Sequence, residues 1–343
     1  MNIVMTILIT VLVFGVLILI HEFGHYLFAR LFKVSVMEFA IGMGPKLISK
    51  KSKKTGIEYS FRALPIGGFV SMVGEDGESE EEGALSKKPK WQRAVVLGAG
   101  AFMNLLLGFF IMVIYVTSAP ALGSTVVAGF SEGATSYESG LQAGDDIYAV
   151  DGHKVHVLYD LSYTISRLGS EPVDITVVRE GEKMELTDVK FPTYTEMGVT
   201  FGQQDFKVTR VNKNLGSVLY YAFHQSVTTV RMVWESLIDL VTGRYGIEAV
   251  SGPVGVSSAI GDAASSGMDS FLILVALITI NLGIFNLLPF PALDGGRLLF
   301  LLIEAIRRKP IKPEVEGFVN FAGLVLLMGL MVVITVKDIL GFM

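Results

Sequence analysis

The chain has 343 residues, 51% of them hydrophobic, and a mean hydropathy of +0.55. That is too apolar for an ordinary soluble enzyme and fits a multi-span membrane protein with one modest water-soluble part. A formal net charge of −5 argues against a nucleic-acid surface, and the lack of cysteine excludes disulfides, thiolate metal sites and cysteine nucleophiles.

An unbroken apolar run over residues 3–20 opens the chain. It has no basic leader and no small-residue cleavage site, so it reads as a retained span and not a signal peptide. His21-Glu22-Phe23-Gly24-His25 follows it directly, and residues 1–33 are read as the first transmembrane helix. Residues 34–73 mix short apolar runs with Gly and Pro: Met37-Glu38-Phe39-Ala40-Ile41, Ile57-Glu58-Tyr59-Ser60-Phe61 and Leu64-Pro65-Ile66-Gly67-Gly68-Phe69-Val70. They predict β-hairpins, either dipping into the membrane or forming a small cytoplasmic sheet. Residues 74–91 form a charged linker that contains the acidic run from Glu75 to Glu82.

Residues 92–118 are the second predicted span, with an apolar core over 94–116. Residues 119–211 change character: short β-branched runs alternate with Gly and Asp turns, and residues 160–168 read as a helix. About 90 residues suffice for one mainly β domain. Residues 212–269 hold an amphipathic helix over 215–241, read as interfacial, with a fifth span as the rival. Ser251-Gly252-Pro253-Val254-Gly255 is read there as a sharp connecting turn. Residues 270–296 are the third span, 297–317 a cytoplasmic loop and 318–340 the fourth span. Basic residues concentrate in the first loop (Lys46, Lys50, Lys51, Lys53, Lys54, Lys87, Lys88, Lys90, Arg93) and the last (Arg297, Arg307, Arg308, Lys309, Lys312). The positive-inside rule places both in the cytoplasm, and the termini and the domain at 119–211 on the far side.

Two histidines four residues apart on a helix share one face, as a catalytic zinc requires, and the intervening glutamate suits a general base. Such groups are expensive at membrane depth, which makes them a functional signal. His21 and His25 supply two ligands and Glu22 the base; a third ligand is needed. His153 and His156 fall in the β domain and His224 on the interfacial helix. Asp294 is the strongest candidate, because it ends the third apolar segment at the depth expected for His25. Pro289 and Pro291 break that segment, and Gly295-Gly296 permit close backbone approach. Asn286 is read either as a partner for an extended substrate backbone or as a helix-packing group, and Asn104 as a helix-packing group.

His21-Glu22-Phe23-Gly24-His25, with Asn286…Pro289-Phe290-Pro291…Leu293-Asp294-Gly295-Gly296, resembles the site-2 protease family of intramembrane zinc metalloproteases, most closely bacterial members with a single PDZ domain. Leu64-Pro65-Ile66-Gly67-Gly68-Phe69-Val70 resembles that family's membrane-reentrant β-loop. Gly140-Leu141-Gln142-Ala143-Gly144-Asp145-Asp146-Ile147, followed by Val150-Asp151-Gly152, resembles its PDZ signature. Ala99-Gly100-Ala101-Phe102-Met103-Asn104 departs from the family's Ala-Gly-Pro-x-x-Asn by the missing proline.

The resemblance implies a multi-span α-helical membrane protein with four transmembrane helices, a membrane-reentrant β-loop and an extracytoplasmic PDZ-like α+β domain. It implies Zn2+ at His21, His25 and Asp294, Glu22 as catalytic base, and substrate contacts at Asn286, Pro291, Gly67 and Gly68. The expected activity is hydrolysis within the transmembrane segment of a single-span protein in the bacterial plasma membrane. An anti-sigma factor already trimmed by a site-1-type protease, or a remnant signal peptide, would be such a substrate. The PDZ-like domain would gate access or recruit substrate. The rival reading is a non-proteolytic membrane PDZ scaffold with a structural metal; it needs a fourth protein ligand, and the sequence offers no evident one.

Overall fold

The protein is described from a computed structural model covering residues 2–341 except 76, 78 and 197. Asp76 and Glu78 of the acidic run therefore lie outside the described residues. The chain divides into two compact units, one of Met1–Phe110 with Ser251–Met343, the other of Ile111–Val250.

Helix α1 (Ile3–Leu31) starts at Asn2, whose side chain accepts the Val4 N–H, and carries the histidine motif in its last turns. Strands β1 (Val36–Lys51) and β2 (Glu58–Met72) follow. Their register folds two long strands into four paired segments. Residues 36–41 pair with 68–72 on one side and 38–41 with 58–61 on the other, and 58–61 also pairs with 48–51. Residues 68–72 are thus an edge. The sheet is amphipathic. One face carries Glu38, Glu58, Ser60 and Arg62, tied together with Lys46. Lys46 and then Ser49 hold the Glu58 carboxyl below its ordinary range. The other face presents Phe39, Ile41, Tyr59 and Phe61 to a cavity shared with Phe23 and Tyr26 of α1. Helix α2 (Lys90–Ser118) runs from the first unit into the second.

The second unit is built on an antiparallel sheet of β3 (Leu122–Phe130), β4 (Asp146–Val150), β5 (His153–Lys154), β6 (Val173–Arg179), β7 (Glu182–Val189) and β10 (Phe206–Val211), in the order β10-β3-β4-β6-β7 with β5 on β4. A one-turn helix α3 (Thr135–Glu138), α4 (Leu158–Leu168) and the hairpin of β8 (Thr193–Glu196) and β9 (Val199–Gly202) complete it. Val127, Leu141, Ile147, Leu161, Ile165, Ile175 and Val177 form its buried core.

Helix α5 (Leu215–Thr242) starts from an Asn214–Ser217 capping box and lies on α4 with matching direction. Asp160 meets Thr228, Thr164 meets Arg231, Tyr163 meets Glu235, and Arg167 pairs with Asp239 and Glu235. These contacts explain the internal charges of α5. Burial, and then Glu235 beside it, push the Tyr163 phenol above its ordinary range, so it stays a donor.

The stretch read as a connecting turn instead opens α6 (Pro253–Ser266), with Gly252 as N-cap and Pro253 at the first helical position. The Asp338 carboxylate, far along the chain, accepts the Gly252 and Gly255 N–H groups that start this helix. Helix α7 (Met268–Leu287) stops before Pro289, and the expected cytoplasmic loop is largely helix α8 (Asp294–Arg307), whose amphipathic pattern was hidden by its basic end. Helix α9 (Pro313–Gly341) closes the chain. Among the described residues four helices, α1, α2, α7 and α9, are long and apolar enough to cross a membrane. Exposed Leu8, Leu12, Phe321 and Leu324 suit lipid as their solvent. This is a membrane protein whose second unit is a sheet-containing domain.

Arg167→Gln should strip the buried Asp239 carboxylate of its close ion-pair partner, leaving Arg244 at 4.0 Å, and cost about 2 kcal/mol of stability. Limited proteolysis should then cut within residues 212–250 before the sheet domain.

Candidate metal centre

Gly24 sets how closely α1 approaches α2: a Cβ there would stand 2.4 Å from the Ala99 carbonyl oxygen. At the next residue of α2, a Cβ on Gly100 would stand 2.4 Å from His25 Nε2 and 2.6 Å from His21 Nε2. The absent side chain of Gly100 is the space into which both imidazoles turn.

The carboxylate arrives by a second close approach. Leu288 is extended, a turn with Ala292 at φ +73° follows, and Leu293 caps α8, leaving Asp294 as the first helical residue. A Cβ on Gly295 would stand 2.2 Å from the Leu288 carbonyl oxygen, and one on Gly296 2.3 Å from that of Phe290. Only glycine lets α8 begin folded back against its own leading loop. Helix α9 supports that loop, since Gly323 packs on Pro291 and the Asn320 side chain accepts the Ala292 N–H at 3.1 Å.

Three donor atoms converge as a result. His21 Nε2 and His25 Nε2 are 3.2 Å apart, and Asp294 Oδ2 lies 3.1 Å from the first and 3.3 Å from the second. Donors around a tetrahedral zinc with bonds of about 2.0–2.1 Å are about 3.3 Å apart. Asp294 Oδ2 is buried and accepts no well-directed hydrogen bond despite two ring nitrogens so near. An orphaned carboxylate oxygen and two facing imidazole nitrogens are what a divalent cation satisfies.

The outer partners point the same way. His25 Nδ1 lies 2.8 Å from the Val96 carbonyl oxygen, which can only accept. Nδ1 therefore carries the proton and Nε2 offers its lone pair. Asn104 is fully buried with its amide nitrogen 3.3 Å from His21 Nδ1 and its own oxygen without a hydrogen-bond partner. Turning that amide over lets the oxygen accept the His21 Nδ1–H and leaves His21 Nε2 for a metal. The sequence suggested only helix packing for Asn104; an amide one turn beyond Ala99-Gly100-Ala101, in an otherwise apolar helix, was the available signal.

Glu22 shares the face of the cluster. Its Oε2 accepts the Val70 N–H at 3.1 Å, from the edge of the β1–β2 sheet. Glu22, His25, Phe69, Val70, Ala292, Asp294 and Arg297 line a cavity of about 350 Å3. Gly68 adjoins this site, since a Cβ there would stand 2.7 Å from the Ala40 carbonyl oxygen and 3.6 Å from Glu22 Cγ. Gly67 has φ +83° and faces Met43, away from the metal cluster. Pro291 contacts α9, and Asn286 is half-buried on α7 outside the cavity lining. His153, His156 and His224 belong to the second unit.

Comparison with known proteins agrees with this chemistry. The model of peptidase family M50 matches residues 9–330. A Clostridium perfringens protein named as a candidate zinc metalloprotease is 38% identical, over 98% of this chain and 99% of its own length. The regulator of sigma-W protease RasP of Bacillus subtilis is 30% identical, over 97% of this chain and 98% of its own. The zinc metalloprotease RasP of Shouchella clausii is 31% identical, with the same coverage. A histidine pair, an aspartate and a glutamate gathered at the end of an apolar helix thus belong to a zinc metalloprotease, and the chain is a member of peptidase family M50, the site-2 protease family.

Proposed function

We propose that this zinc metalloprotease hydrolyses peptide bonds within the transmembrane segments of single-span proteins, with His21, His25 and Asp294 as zinc ligands and Glu22 as base. The observation that carries the reading is the convergence of three donor atoms, 3.1–3.3 Å apart, at the end of an apolar helix. Zinc bound there would polarise the scissile carbonyl and acidify a water molecule. Glu22 takes the proton of the attacking water on its carboxylate. It then delivers that proton to the leaving amide nitrogen as the C–N bond breaks, giving a carboxylate and an amine.

A helical substrate hides its peptide groups in its own hydrogen bonds and must unwind to be cut, yet unpaired backbone groups in lipid cost several kcal/mol. The 68–72 edge offers replacements by strand addition. Its outward N–H groups at Val70 and Met72 are held by the carboxylates of Glu22 and Glu75. A substrate strand that pairs with Val70 takes over that donor and releases Glu22 for the water. In this reading the β1–β2 sheet lies in the membrane as a reentrant loop, its aromatic face toward lipid. Asn286 and Pro291 border the substrate path.

The basic loops support a metal centre toward the cytoplasm of a bacterial plasma membrane, with the sheet domain, read as PDZ-like, outside it. That domain gates or recruits substrates trimmed beforehand by a site-1-type protease. An anti-sigma factor is one proposed substrate class, within regulated intramembrane proteolysis, in keeping with a Bacillus subtilis relative named regulator of sigma-W protease, and remnant signal peptides are a second.

Four variants test the parts separately on purified protein with a single-span model substrate. Glu22→Gln should keep its zinc and lose cleavage by at least about a hundredfold; residual activity near the intact level removes Glu22 as base. Gly100→Ala should lose the zinc itself, read by elemental analysis, because its Cβ occupies the ligand space. Asn104→Ala should weaken zinc affinity by about 10–100-fold, measured by competition with a chelator. For the edge, Gly68→Val should lower cleavage with zinc retained; undiminished cleavage would count against strand addition.

A further inference from the structure

A second group of metal-binding side chains lies in the sheet domain and has no part in the catalysis proposed above. His156 stands just before α4, Asp160 is in the first turn of α4, and His224 is on α5. One nitrogen from each imidazole and one Asp160 oxygen lie within 4.8 Å of one another. His156 Nδ1 and Asp160 Oδ2 are 3.4 Å apart, the spacing of two donors on one zinc ion. The two imidazole rings stack with centroids 4.1 Å apart and planes 19° from parallel.

The surroundings are those of a built site. The Asp160 side chain is only 4% exposed, and among the described residues no lysine or arginine is paired with it. Thr228, one turn beyond His224 on α5, donates to Asp160 Oδ1, which leaves Oδ2 turned toward His156. The His156 backbone N–H also donates to Oδ2, at 3.1 Å. A buried carboxylate with no cationic partner calls for positive charge. The His156 side chain is 41% exposed, so an ion can enter from water and keep water as a fourth ligand. Two imidazoles and one carboxylate select a divalent transition metal over Mg2+ or Ca2+.

We propose that His156, Asp160 and His224 form a second zinc site, a clamp that joins the start of α4 to α5. It acts at the opposite end of the α4–α5 contact from the Arg167–Asp239 ion pair. Zinc supply thereby controls how firmly α5 is held to the sheet domain.

The test is zinc counting on the full-length, detergent-solubilised protein, equilibrated with zinc chloride in excess Mg2+. Intact protein, His156→Gln and His224→Gln are compared, and each is also assayed for cleavage of the model substrate as a separate report on the catalytic centre. The expected result is two ions per chain in the intact protein and one in each variant, with cleavage retained. His156 is partly exposed, so its replacement leaves the core intact. An equal zinc count in all three proteins, whether one ion or an adventitious second, overturns the clamp. That result would leave the catalytic reading untouched.

Discussion

The metal centre depends on a helix contact so close that it excludes side chains. Where α1 crosses α2, Gly24 meets the Ala99 backbone and Gly100 meets two imidazole nitrogens. Ridges and grooves of larger residues would hold the helices about 8–10 Å apart and fill the space with hydrocarbon. Here the missing Cβ atoms bring a backbone surface up to the histidines. The Val96 carbonyl and the Asn104 amide, which orient those histidines, come from the same face of α2. The position of Asp294, the proposed third ligand, depends on a related contact, since Gly295 and Gly296 let α8 fold back on its leading loop.

Polar groups placed among apolar helices must find partners, and the centre shows how this chain provides them. Each imidazole has a partner for Nδ1 and turns Nε2 to a common point. Glu22 is held by a backbone N–H of a sheet edge and not by another charge, which leaves it able to move when that donor is taken. The second unit solves a different problem. Helix α5 is too charged to cross a bilayer cheaply, and its charges are spent against α4 through Arg167, Glu235 and Asp239. The His156–Asp160–His224 group belongs to that same contact and extends its polar logic to a cation.

Much of this was legible in the sequence because the signals were periodic or chemically costly. Long apolar runs marked the four helices that are long and apolar enough to span a membrane. The i, i+4 spacing put His21 and His25 on one face, and the cost of an aspartate at the end of an apolar segment singled out Asp294. What the sequence hid was set by contacts distant along the chain. Gly252-Pro253 reads as a turn until Asp338 is seen to hold the first N–H groups of α6. Asn104 reads as packing until the His21 ring is found beside it. Gly68 and Gly67 looked equivalent, yet strand register puts only Gly68 against Glu22. The partners of the α5 charges lie on α4, some 70 residues earlier, beyond any local pattern.

The decisive experiment is zinc retention by the intact protein and by Asp294→Ala after dialysis against buffer whose free zinc is held low by a chelator. One tightly held ion more in the intact chain than in Asp294→Ala follows if the aspartate completes the site with His21 and His25. The same number of ions held by both proteins would mean that the two histidines find their third ligand elsewhere, and the assignment of the metal centre would fail.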